Sequence, residues 1–82
     1  MIDVEILTRP GCHLCDEMKK SLAQAARGLE VQLRETNVDA DENLTAQYGN
    51  DVPVLFVNGN KAFKHRATVK ELRKRLLMAR VR

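Results

Sequence analysis

The sequence predicts an α/β fold, a mixed β-sheet covered by helices on both faces, with elements in the order β-α-β-α-β-β-α. Three observations predict it. Strand-like apolar runs alternate with helix-periodic stretches through residues 4–48, the pattern of a parallel β-α-β unit. The run Val54-Leu55-Phe56-Val57 leads straight into Asn58-Gly59, a strong short hairpin signal. Thr68 and Glu71 then form a T-x-x-E capping box that opens a closing helix.

The first strand candidate covers residues 4–8, which are rich in β-formers, and Arg9-Pro10-Gly11 stops it. A helix is expected over residues 12–27. Leu14, Met18, Leu22, Ala25 and Leu29 recur there at helical spacing, and Gly28 suits a C-terminal stop. Residues 31–38 form the second strand candidate, with Val31 and Leu33 alternating with polar neighbours. Asp39, Asp41 and Glu42 suit the positive N-terminus of a short helix that runs to Tyr48 and ends at Gly49-Asn50. After Pro53, the unbroken apolar run of residues 54–57 reads as a strand inside the sheet, buried on both faces. Asn58 and Gly59 both accept the positive φ of a type I′ turn, so residues 61–64 return antiparallel. From Thr68 onwards, Val69, Leu72, Leu76 and Ala79 mark one face of the last helix.

A chain of 82 residues with 44% apolar side chains suits one domain over residues 1–82 with a thin core. There is no Trp, one Tyr and two Phe, so aliphatic side chains must fill that core. No apolar run approaches the roughly 18 residues of a membrane span. The opening Met1-Ile2-Asp3-Val4-Glu5 lacks the basic start of a signal peptide, which makes the cytoplasm the expected compartment. A monomer is expected. Charge is polarised: residues 1–60 hold five basic and ten acidic side chains, whereas residues 61–82 hold nine and one. The basic end could steer towards an acidic partner or form a solvated helix face.

Cys12 and Cys15 carry the chemistry this sequence offers. In a reducing compartment, such a pair is more often catalytic or metal-binding than structural. It falls where the first strand gives way to the first helix, at the strand end where sites form in open α/β sheets. At the helix N-terminus, Cys12 would meet unpaired N–H groups and the positive dipole end. Both favour the thiolate, which is the attacking species. Cys15 lies on the same helical face and within disulfide reach, so it can resolve a mixed disulfide formed at Cys12. Being deeper in the helix, it is expected to be less exposed and less acidic. Arg9 and His13 flank Cys12 and could add positive charge beside it.

Other uses of two thiols are narrower. Structural zinc needs four ligands, and only His13 and His65 stand beside the cysteines, so no metal site is assigned. Handling a metal or cluster through the thiols of a dimer stays open, as do two inert thiols. Covalent haem attachment needs C-x-x-C-H, and Asp16 follows Cys15. A disulfide across so short a loop would add little stability.

The stretch Leu7-Thr8-Arg9-Pro10-Gly11-Cys12-His13-Leu14-Cys15, with Asp51-Val52-Pro53-Val54 and Asn58-Gly59, resembles the glutaredoxin branch of the thioredoxin-fold superfamily. The likeness is greatest to its compact glutaredoxin-like members and covers nearly the whole chain. It implies a thioredoxin-like fold with a four-stranded sheet whose first and third strands are central. It also implies a cis bond before Pro53, beside the cysteine pair, which leaves the Val52 backbone open to an extended substrate. Two stretches depart from the typical pattern. His13-Leu14 stands where glutaredoxins carry Pro-Tyr. Lys64-His65-Arg66-Ala67 stands where they carry Gly-Gly, so side chains there could obstruct glutathione or supply cations to its carboxylates.

The expected activity is thiol–disulfide exchange on protein or glutathione mixed disulfides. Cys12 and Cys15 would be the redox pair, with Arg9, His13, Val52, Pro53, His65 and Arg66 around the substrate. No metal or organic cofactor is needed; glutathione or another partner thiol would supply reducing equivalents. The alternative is a non-enzymatic module that docks an acidic partner through its basic C-terminal helix, using Lys70, Arg73, Lys74, Arg75, Arg80 and Arg82. Nucleic acid is not the expected partner, since no aromatic platform accompanies the charge.

Overall fold

The computed structural model describes residues 1–80. Its elements are β1 (Ile2–Thr8), α1 (His13–Ala25), β2 (Val31–Asn37), a single 3₁₀ turn (Val38–Ala40), α2 (Glu42–Tyr48), β3 (Val54–Val57), β4 (Asn60–Lys64) and α3 (Val69–Arg80). The four strands form one sheet in the order β2-β1-β3-β4. β1 runs parallel to β2 and antiparallel to β3, and β3 runs antiparallel to β4. β1 and β3 are therefore the central strands.

Strand periodicity sorts side chains to two faces. Ile2, Val4 and Ile6 of β1 and Leu55 and Val57 of β3 pack with Met18, Leu22 and Ala25 of α1 and Leu72 and Leu76 of α3. Leu7 and Val54 point to the opposite face and pack with Cys15, Val38 and Val52, with Leu44, Tyr48 and Phe56 alongside. The Tyr48 and Phe56 rings meet edge to face at 6.1 Å, joining α2 to β3.

Local chemistry explains the boundaries. The capping box is made in both directions: the Thr68 amide donates to Glu71 Oε1 at 2.9 Å, and the Glu71 amide donates to Thr68 Oγ1 at 3.1 Å. Asn58 and Gly59 take φ values of 51° and 82°, as the hairpin turn demands. The Asn58 side chain also accepts the Asp3 amide at 3.0 Å, which ties the turn to β1.

Some elements differ from their sequence-based expectation. The helix expected from Asp39 splits, because Asn37 caps the 3₁₀ turn and Asp41 caps α2, accepting the Asn43 and Leu44 amides at 2.8 and 3.2 Å. α1 stops at Ala25, and Gly28, with φ of 76°, turns the chain after it. Leu33, which alternates with polar neighbours, is 47% exposed. β2 is an edge strand, and the helices pack over β1 and β3. Arg73 also departs from its expected role as a docking cation. Its Nη1 donates to the Ala25 and Arg27 carbonyls at 3.0 and 2.7 Å, so it closes the C-terminal end of α1 from α3. Arg82 lies outside the described residues.

Leu55 is fully buried at the centre of the sheet, so Leu55→Ala should cost about 2–5 kcal/mol in urea unfolding. Arg73→Met should cost about 1–2 kcal/mol, because the α1 carbonyls lose a charged donor. No change in unfolding midpoint for Arg73→Met would deny it that role.

Candidate functional site

The β1–α1 junction is built by the backbone. Thr8 ends β1, Gly11 turns at φ of 74°, and the Cys12 amide donates to the Arg9 carbonyl at 3.3 Å. Cys12 is the N-cap of α1, with extended backbone at φ −88° and ψ 109°. In that position its Sγ accepts the Cys15 amide at 3.2 Å. The sulfur does what a Ser or Asp oxygen does at other helix starts, among N–H groups the helix leaves unpaired.

The two thiols sit in different surroundings. Cys12 is partly exposed, whereas Cys15 is buried at 1% exposure against Leu7, Val38, Val52 and Val54. Burial pushes the Cys15 thiol up to about 11, and its hydrogen bond with Cys12 adds to the shift. A backbone hydrogen bond at Arg9 and the charge of Lys19 oppose it.

Lys19 belongs to a polar cluster beside this pair. Its Nζ lies 3.1 Å from Glu35 Oε2 and 3.7 Å from Asp16 Oδ1. Glu35 Oε2 also accepts the hydroxyl of Thr8, a buried polar residue at the end of β1, at 3.0 Å. The bond with Glu35 raises the Lys19 ammonium above its usual range, and the same bond followed by that of Thr8 holds the Glu35 carboxyl below its own. Sequence reading missed this cluster; the signal was Lys19 one turn after Cys15 on the same helix.

The other expected site residues divide. Val52 packs in the same cluster as Cys15, with Cys12 at its edge, and the Val52–Pro53 peptide is cis. Among the described residues, neither backbone group of Val52 takes part in the loop hydrogen bonds. The Pro53 carbonyl accepts the His65 amide at 2.8 Å, which brings the β4–α3 connection up to the Pro53 loop. His65 has φ of 67°, and its Nε2 lies 3.4 Å from the Asn50 carbonyl. His65 and Arg66 line a cavity of about 260 Å³ together with Leu14, Met18 and Glu71. His13 is exposed at the start of α1. Arg9 is committed elsewhere: its guanidinium meets Asp39 at 3.0 Å and donates to the Gly49 carbonyl at 3.0 Å, so it braces the junction against α2. A Cβ at Gly49 would fall 2.5 Å from the Thr45 carbonyl oxygen, so glycine alone fits that corner. Among the described residues, no three His, Cys, Asp or Glu side chains converge to hold a metal ion, and no helix is long and apolar enough to cross a membrane.

Comparison with known proteins agrees with this geometry. A protein of Xanthomonas campestris designated XcR50 has a similar structure, with a TM-score of 0.79 and 31% identity over 92% of this chain and 96% of its own. Protein Ne2328 of Nitrosomonas europaea gives 0.77 and 30% over 92% and 91%. A thioredoxin of Halobacterium salinarum shares the fold at 0.65 and 18% identity, covering 95% of this chain and 74% of that one. In sequence, a glutaredoxin-like protein of Dictyostelium discoideum is 35% identical over 71 residues, 79% of this chain and 66% of its own length. An uncharacterised protein of Mycobacterium tuberculosis is 30% identical over 63 residues, 71% and 65% respectively, so the matches span just under two thirds of these relatives. Residues 3–77 match the family described as Glutaredoxin-like domain (DUF836), and the chain belongs to that family.

Proposed function

We propose that the protein is a dithiol–disulfide oxidoreductase in which Cys12 attacks and Cys15 resolves. The observation that carries this reading is the N-cap position of the Cys12 sulfur, partly exposed, with Cys15 buried one turn behind it. The Cys12 thiolate attacks one sulfur of a substrate disulfide, forming a mixed disulfide and releasing one substrate thiolate. Cys15 then loses its proton to solvent and attacks Cys12. The Cys12–Cys15 disulfide forms and the second substrate thiolate leaves. The substrate is reduced by two electrons, and a partner thiol, with glutathione a candidate, returns the pair to the dithiol.

The surroundings support a protein disulfide as the main substrate. The unpaired Val52 backbone beside the cysteines suits pairing with an extended polypeptide. Pro53 follows the cis bond of that loop, and His13, His65 and Arg66 are exposed and, in this reading, contact the substrate. Such chemistry belongs in a reducing compartment, with the cytoplasm our assignment.

Cys12→Ser should abolish reduction of a glutathionylated or disulfide-bonded peptide. Cys15→Ser should accumulate a mixed disulfide at Cys12, visible as an intact-mass adduct. Activity retained by Cys12→Ser and lost by Cys15→Ser would reverse the roles.

A second expectation follows from linkage. Cys15 titrates near 11 in the folded protein, whereas a thiol in an unfolded chain titrates at about 8.5. Between these values the folded form keeps a proton that the unfolded form has lost. The contribution to stability is complete below the lower value and is lost as pH rises through the higher one. Urea midpoints of reduced protein across this window should fall more steeply than those of Cys15→Ala; parallel slopes would contradict the burial of a neutral thiol.

A further inference from the structure

The resolving step poses a problem that the dithiol reading leaves unsolved: a buried thiol must ionise. Among the charged groups around Cys15, most are occupied with each other. Arg9 pairs with Asp39, His13 is exposed, and Asp16 and Glu35 both face Lys19. Tyr48 lies in the same cluster on the α2 side, and Val52 with Val54 and Phe56 of β3 adds only apolar side chains. Lys19 is the charged side chain whose field favours a Cys15 thiolate. Helical spacing sets it one turn beyond Cys15, and it is held there. Glu35 Oε2 accepts both Lys19 Nζ at 3.1 Å and the hydroxyl of Thr8 at 3.0 Å, so β1, β2 and α1 together fix the ammonium.

We propose that Lys19 is a positioning residue for resolution, its ammonium, held by a Glu35 carboxylate that Thr8 orients, stabilising the Cys15 thiolate as it attacks Cys12. The inference rests on the dithiol reading above. It also accounts for the order of events. In the resting dithiol, the hydrogen bond and the negative charge of Cys12 oppose ionisation of Cys15. Once Cys12 is bonded to substrate, its sulfur carries no charge, and both oppositions disappear. The Lys19 field and the Arg9 backbone bond then act against burial alone. Cys15 is thus kept protonated until there is a mixed disulfide to resolve.

The two steps separate with one equivalent of an aromatic disulfide, 5,5′-dithiobis(2-nitrobenzoate), in a stopped-flow absorbance experiment. Attack by Cys12 releases one thionitrobenzoate and leaves the other on Cys12. Attack by Cys15 on Cys12 breaks that bond, forms the Cys12–Cys15 disulfide and releases the second. With Lys19→Met, the second release should slow about three- to thirtyfold near neutral pH, the range expected for losing one charge a helical turn away. Its pH profile should move to higher pH, and Lys19→Arg should restore most of the rate. In the unaltered protein, added salt should slow the second release, because the ammonium is partly exposed and screenable. A second release with the same pH profile in Lys19→Met, or without salt dependence in the unaltered protein, overturns the role of Lys19 and leaves the dithiol reading intact. Absence of a second release in the unaltered protein overturns both.

Discussion

The 3.2 Å hydrogen bond from the Cys15 amide to the Cys12 sulfur is the interaction on which the rest of the molecule turns. A helix start leaves four amides without partners, and something must accept them. Here the acceptor is a sulfur, a weak one as a thiol and a stronger one as a thiolate. The contact that starts the helix therefore also holds the Cys12 sulfur at its N-terminal end. The turn before it permits this geometry, since Gly11 takes a left-handed φ of 74° and the Cys12 amide closes back on Arg9. Arg9 then braces the turn from outside, through Asp39 and Gly49.

The fold holds α1 at both ends by different means. Its N-terminus is capped by the reactive sulfur, and its C-terminus is closed by Arg73 reaching across from α3. Between them, Met18, Leu22 and Ala25 pack on the sheet beside Leu72 and Leu76. The helix that carries Cys15 is thus fixed along its length, while Cys12 alone stays partly open to solvent. That division suits a pair in which one sulfur meets a partner and the other waits. The same packing buries the Cys15 thiol, and burial is the main cause of its raised pKa.

Much of this was legible in the sequence, because the signals were local. Asn58-Gly59, the Thr68 and Glu71 capping box and the unbroken Val54–Val57 run each name their own structure through backbone chemistry within a few residues. The Cys12 and Cys15 spacing, read at a strand-to-helix junction, placed the candidate site. What the sequence hid was pairing at a distance. Arg73 reads as one more solvated cation until α3 lies against α1. Arg9 reads as a companion of Cys12 until the chain brings Asp39 to it. Glu35 and Lys19 lie 16 positions apart and meet only because β2 pairs beside β1. Leu33 shows the limit of alternation: it marks the strand, but burial needs something to cover the face, and β2 is an edge strand with Leu33 47% exposed.

The β4–α3 connection bears on which partner reaches the cysteines. A small peptide such as glutathione brings carboxylates, and a helix N-terminus is a natural place to receive one. The N-terminus of α3 is already served by its own Glu71, whose carboxylate accepts the Thr68 amide and is held below its usual range chiefly by that bond. An incoming carboxylate would have to displace a covalently tethered one and meet its charge. His65 and Arg66 stand beside this helix start, and the His65 backbone is drawn onto the Pro53 carbonyl. Side chains thus line the cavity at this helix start, where a glycine pair would leave bare backbone. The Val52 backbone takes part in no loop hydrogen bond, and an extended chain pairing there needs neither the helix N-terminus nor a glycine. Under the proposed dithiol activity, the local chemistry that caps α3 therefore favours a polypeptide disulfide over a small anionic one.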